Sequence, residues 1–158
     1  RVLDTLFARM LLEIAGATIA QIAIVGVLIL IGWIPTPADV FYMLMAWLLM
    51  AIFAIGLGLV ICSIAFKVEA FGKIWGTFSF VMLPLSGVFF FVSSLPQQAQ
   101  QYVLWMPMVH GTEMFRQGYF GASVITHESI SYIVLCNLVL LLLGFIMVND
   151  FSKGVEPE

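Results

Sequence analysis

Four apolar runs, each near the length of a bilayer crossing, alternate along this chain with stretches where polar residues return. They cover residues 15–34, 41–64, 75–92 and 131–148. A spanning helix needs about 20 predominantly apolar residues, so each run is read as a crossing. Ahead of the first, residues 3–14 set Leu3, Leu6, Phe7, Met10, Leu11 and Ile14 on one helical face. Asp4, Thr5, Arg9 and Glu13 take the other, the spacing of an amphipathic helix. Asp4 or Thr5 suits its N-cap. Two readings stay open for this segment: a helix lying in the membrane interface, or a plain extension of the crossing that follows. Residues 35–39 (PTPAD) form a tight turn, residues 66–74 (FKVEAFGKI) a short polar connection, and residues 149–158 a polar tail. Pro84 and Gly87 interrupt the third run, where a proline frees a carbonyl and kinks a helix.

Residues 96–121, PQQAQQYVLWMPMVHGTEMFRQGYFG, fit neither class. They are too polar to span, yet Tyr102, Val103, Leu104, Trp105, Met106, Phe115, Tyr119 and Phe120 are too apolar for a free aqueous loop. Pro107 divides them into two pieces, each too short to cross. The expectation is a re-entrant helical hairpin that enters one leaflet and turns back. Broken backbone at that depth persists only when buried in protein or lining a wet cavity. The alternative is an amphipathic loop on the bilayer surface. The fold class expected is therefore an all-α membrane protein: a single transmembrane domain over residues 1–158, with four transmembrane helices, an amphipathic N-terminal helix and an outer re-entrant hairpin.

Composition agrees with that pattern. Hydrophobic residues make up 63% of the chain and charged residues 9%, with a mean hydropathy of +1.12; soluble domains carry about 25% charged residues. The net charge of −3 argues for neither a basic nor an acidic partner, and nothing points to nucleic acid. Cys62 and Cys136 fall inside apolar runs, where a thiol behaves as a small hydrophobe. Charge does set an orientation. With four crossings, Arg1, Arg9, Lys67, Lys73 and Lys153 share one side and Arg116 takes the other. The excess of cations marks the cytoplasmic side, so both termini are expected in the cytoplasm and the hairpin outside.

The centres of the crossings hold no Asp, Glu, Lys, Arg or His, the residues with which ion-coupled carriers relay charge. Thr18, Gln21, Thr77, Ser79, Ser86 and Asn137 supply the remaining polarity and read as interhelical hydrogen bonds. No GxxxxGK[ST] phosphate loop is present. Uphill transport would draw its energy from another chain, touching residues 1–14 and 66–74. His110, Glu113 and Arg116 are the one dense ionisable group. An outer-surface enzyme site built on His110 and Glu113 would lack a nucleophile, a second carboxylate and the HExxH spacing. A Glu113–Arg116 pair holding the half-helix or sitting at its wet mouth is the simpler role. Trp75, Phe78, Phe80, Phe89, Phe90, Phe91, Tyr102, Trp105 and Tyr119 have flat faces suited to sugar rings, and equally to lipid or core packing.

The order of these parts resembles the later two thirds of an ABC-2 type transporter permease. Residues 83–121, LPLSGVFFFVSSLPQQAQQYVLWMPMVHGTEMFRQGYFG, are similar to the capsular polysaccharide export permeases (KpsM-like) of Gram-negative bacteria, most specifically over residues 106–121. Residues 3–13, LDTLFARMLLE, look like that family's link from its cytoplasmic coupling helix to its third crossing. The resemblance implies a six-crossing permease that pairs as a homodimer, with the family's first two crossings and gate helix missing from this sequence. It implies two cytoplasmic ABC ATPase subunits that bind ATP and Mg, and no cofactor in this chain. It further implies a periplasmic co-export protein and a lipid-linked capsular polysaccharide passing through the bacterial inner membrane. Coupling to the ATPase would fall on Leu3, Asp4, Phe7, Arg9, Lys67 and Glu69, and the re-entrant conduit on Tyr102, Trp105, His110, Glu113, Arg116 and Tyr119. Permeases for O-antigen, teichoic acid or drugs are the near alternatives, and a non-transporting membrane scaffold the distant one.

Overall fold

The computed structural model describes residues 2–155, with the side chains of residues 2, 3, 69 and 151–155 outside the described set. Among the described residues there are six α-helices: α1 (Val2–Leu30), α2 (Val40–Lys67), α3 (Glu69–Leu85), α4 (Gln97–Val103), α5 (Pro107–Phe120) and α6 (Ile130–Val155). Among the described residues α1, α2 and α6 are long and apolar enough to cross a membrane, and α3 is a shorter apolar helix.

α2 is the centre of the fold. Asp39 caps its start by accepting a hydrogen bond from the Tyr42 N–H at 3.0 Å. α6 lies alongside it and runs the same way, because two glycines remove the side chains that would hold the axes apart. A Cβ on Gly144 would fall 2.7 Å from the Leu59 Cβ, and one on Gly56 would fall 3.0 Å from the Leu140 Cβ. This is the small-residue packing by which helices associate where lipid offers no hydrophobic drive. Buried Asn137 on α6 donates to the Leu49 carbonyl of α2 at 2.9 Å. The core of Ala46, Leu49, Met114 and Ile133 joins α2, α5 and α6, with Tyr42 and Phe115 packed against it.

α1 is one unbroken helix, so the backbone of residues 3–14 is continuous with the apolar run that follows. No Pro or Gly falls between residues 3 and 15, and the helix continues through Gly16 without a break. α1 touches its neighbours sparingly. The Trp47 indole donates to Thr18 Oγ1 at 2.9 Å, and Phe7 stacks on Phe145 of α6 with ring centroids 5.8 Å apart. Leu12, Ile19 and Leu30 are exposed, as expected of a helix whose surroundings are hydrocarbon.

Two boundaries differ from the sequence reading. The connection expected over residues 66–74 is a single extended residue, Val68, between α2 and α3. Glu69, Ala70 and Lys73 are good helix formers and continue into α3 rather than forming a loop. The helix expected over residues 75–92 is observed as Glu69–Leu85. Pro84 contributes no N–H, and Gly87, at φ +81°, adopts a backbone conformation that L-residues avoid. The chain then continues as an irregular strap over residues 86–91.

Candidate functional site

α5 carries the candidate site, and its depth follows from two glycines. Pro107 occupies its first turn, where a missing N–H costs nothing, so the helix starts where the sequence places the break. Gly118 abuts the backbone of Met43, and Gly111 abuts the side chain of Met50. α5 thus runs antiparallel to the first half of α2. Met50 lies ten residues into α2, about 15 Å along the helix at 1.5 Å per residue. The Pro107 end goes deeper and borders a cavity of about 630 Å³ lined by Phe53, Leu57, Trp75, Met82, Ser86 and Met106, among others.

His110, Glu113 and Arg116 follow at three-residue steps. Each step turns a helix by about 300°, so the three fan across the inward side of α5. Arg116 faces the strap. Its guanidinium donates to the carbonyls of Phe90 at 2.7 Å, Val88 at 3.0 Å and Gly87, and stands 4.5 Å from the centroid of the Phe91 ring. Thr112 Oγ1 adds a bond to the Ser86 carbonyl at 3.1 Å. Glu113 is wholly buried; its Oε1 accepts from Arg116 at 2.8 Å and its Oε2 from the His127 backbone N–H at 3.3 Å.

His110 sits between two further breaks in the chain. Its Nε2 lies 2.8 Å from the Leu104 carbonyl, and its Nδ1 accepts the Ser129 N–H at 3.0 Å. A carbonyl only accepts and a backbone N–H only donates, so this geometry requires the neutral ring with its proton on Nε2. Tyr132 packs on the ring at 5.0 Å and donates its hydroxyl to the Trp105 carbonyl at 2.7 Å. At the far end, the Gly118 and Tyr119 carbonyls accept from Asp39 and Ala38, and the Tyr119 hydroxyl donates to the Pro35 carbonyl at 2.6 Å. α5 is therefore a splint. It supplies hydrogen-bond partners to four non-helical segments that an apolar environment would otherwise leave unsatisfied.

Both carboxylate oxygens of Glu113 and both ring nitrogens of His110 are occupied in this way, which leaves neither group poised as a free acid or base. Among the described residues no three or more His, Cys, Asp or Glu converge to hold a metal. Of the remaining residues expected to line a conduit, Tyr119 joins the splint, whereas Tyr102 and Trp105 point outward, 79% and 80% exposed. The residues expected to meet an ATPase divide. Asp4, Arg9 and Lys67 lie exposed at the opposite end of the bundle. Arg9 pairs with Glu13 at 3.3 Å on an open helix surface. Phe7 is turned into the bundle against Phe145. The side chains of Leu3, Glu69 and Lys153 lie outside the described residues. Sequence reasoning missed the strap, Thr112 and Tyr132; the Pro84–Gly87 spacing was the one local sign that the third helix would stop short.

The family described as ABC-2 type transporter matches residues 1–120. Over all 158 residues the chain is 75% identical to the capsule polysaccharide export inner-membrane protein CtrC of Neisseria meningitidis serogroup B. It is 65% identical to the capsule polysaccharide export inner-membrane protein BexB of Haemophilus influenzae. The polysialic acid transport protein KpsM of Escherichia coli is 27% identical over 97% of the chain. The chain spans 60% of the length of CtrC and BexB and 59% of KpsM. A family match that runs from the first residue to the end of α5, on an all-helical chain with this apolar pattern, establishes the relationship: the chain belongs to the ABC-2 type transporter family.

Proposed function

We propose that the chain is part of the inner-membrane permease of an ATP-driven exporter that moves lipid-linked capsular polysaccharide out of a bacterial cell. The observation that carries this reading is the 75% identity, across every residue of the chain, to a protein named for capsule polysaccharide export. In this reading α1, α2, α6 and a composite third crossing span the bilayer. α3 supplies about 25 Å of that third crossing at 1.5 Å per residue, and the strap supplies the rest. α4 and α5 form the re-entrant hairpin on the periplasmic side. The end bearing Arg9, Lys67 and Lys73 faces the cytoplasm, by the bias of cations toward that side. A cytoplasmic ATPase binds ATP and Mg and pushes on that end, through Asp4, Arg9 and Lys67 together with Leu3 and Glu69. A second permease copy and a periplasmic co-export protein complete the route. The neutral crossings support an energy source outside this chain.

Deleting the gene for the full-length protein from an encapsulated strain tests the proposal. Surface polymer should vanish while polymer accumulates inside, and the intact gene should restore export. Unchanged surface capsule, or a defect confined to O-antigen or drug efflux, would overturn it.

A further inference from the structure

We propose that Arg116 is the positioning residue of a movable strap, residues 86–91, and that this strap rather than the re-entrant helix α5 is what shifts when the hairpin end of the protein opens. The functional half of this inference rests on the export reading above.

The strap is fastened at both ends and raised between them. Ser86 and Val92 are 5% and 0% exposed, whereas Val88 and Phe89 are 57% and 69% exposed. Its end carbonyls are answered locally or by α5, Phe91 by Ser94 and Ser86 by Thr112, and Arg116 answers the three between them, Gly87, Val88 and Phe90, with one planar fork while Glu113 neutralises its charge. A guanidinium can do this because its donors point in fixed, separate directions; an ammonium is a single point.

α5 has no comparable freedom. Val109 and Met114 are wholly buried, and at Gly118 the helix meets the backbone of α2 with no room for a single added carbon. The backbone bonds from Ala38 and Asp39 hold that same end. The strap is seated at Gly87, which is buried close to Thr112 and Val109 and turns the chain at φ +81°, and it rises from α5 only beyond that point. Ser86 and Val88 also form one wall of the 630 Å³ cavity, so raising the strap opens that cavity toward the hairpin end. Thr112 and the close seat of Gly87 hold the strap's first residues to α5, and Arg116 sets how far Val88 to Phe90 stand off it.

The test uses the full-length permease in its ATPase complex, with Cys62 and Cys136 replaced by Ala. Ser86→Cys is a near-isosteric reporter at a buried site, and Ser94→Cys an exposed control. Arg116→Lys retains a countercharge for Glu113 but loses the fork. The pair Arg116→Met with Glu113→Gln removes both charges, so that no lone buried carboxylate obscures the result. In both backgrounds a membrane-impermeant maleimide should label the Ser86→Cys reporter at least about fivefold faster, with the control unchanged. The complex should retain its ATPase activity while surface polymer falls. Unchanged labelling in both backgrounds overturns the role of Arg116. Faster labelling with normal export, or impaired export without faster labelling, overturns the link between strap and transport. Labelling needs no substrate, so faster labelling in a protein whose deletion leaves the capsule intact would sink the export reading and leave the strap standing.

Discussion

Gly118→Ala is the sharpest test of how α5 is seated. The added methyl would lie 2.7 Å from the Met43 amide nitrogen and 2.9 Å from its Cα, and it must retreat to at least 3.4 Å for ordinary contact. The obstacle is the backbone of α2, in the turn capped by Asp39, so no rotamer change relieves it. Either α5 moves off α2 or the first turn of α2 deforms. Overpacking of this kind costs about 1–3 kcal/mol. The shift also stretches the bonds from Asp39 to Gly118 at 2.8 Å and from Ala38 to Tyr119 at 3.0 Å, each contributing about 0.5–1.5 kcal/mol. A loss of about 2–4 kcal/mol is expected in total. The measurement is the thermal midpoint of the detergent-solubilised full-length protein, read as the fraction that stays monodisperse on size exclusion after heating. The control is Gly76→Ala in α3, where a Cβ meets nothing within 4 Å and helix propensity favours the change by about 1 kcal/mol. If Gly118→Ala matches the parent, or if Gly76→Ala loses as much, then α5 is not seated against α2 as described.

Three further outcomes follow from the geometry. His110→Ala strips partners from the Leu104 carbonyl and the Ser129 N–H together, and leaving a buried polar group unsatisfied costs about 1–3 kcal/mol; amide exchange at Ser129 should accelerate by at least about tenfold. Asn137→Leu removes a single bond to Leu49, and interhelical bonds in membranes average about 0.6 kcal/mol, so the thermal midpoint should barely move. Arg9→Ala breaks an ion pair whose side chains are 79% and 69% exposed, which predicts almost no loss of stability. A fall in ATPase-coupled export in that variant, with folding intact, would mark Arg9 as a partner contact, and unchanged export would remove it from the coupling surface.

Much of this organisation is local and therefore visible in the chain itself. The break at Pro107 is a property of one residue, and α5 begins there. The turn over residues 35–39 and the start of α2 follow from two prolines and a capping aspartate. Glu113 and Arg116 pair because three-residue spacing brings side chains together on any helix. Hydrophobic run lengths marked α1, α2 and α6 as long apolar helices, since a bilayer has one thickness and a helix one rise. Run length misjudged α3, because composition reports what a segment can bury and not where its hydrogen bonds go.

What only the tertiary structure decided is which distant groups answer the broken backbone. The strap's carbonyls find Arg116 some 26–29 residues further along, and the Ser129 N–H finds His110 at a separation of 19. No periodicity encodes such pairings. They arise because α2, α5 and α6 meet at glycines, and in an apolar surround an unpaired carbonyl costs too much to be left alone. Sequence determined that this chain is a set of apolar helices interrupted by a proline-split, half-polar segment. Packing determined that α5 is seated against α2 and that the irregular segment after α3 takes its hydrogen bonds from Arg116 and Thr112.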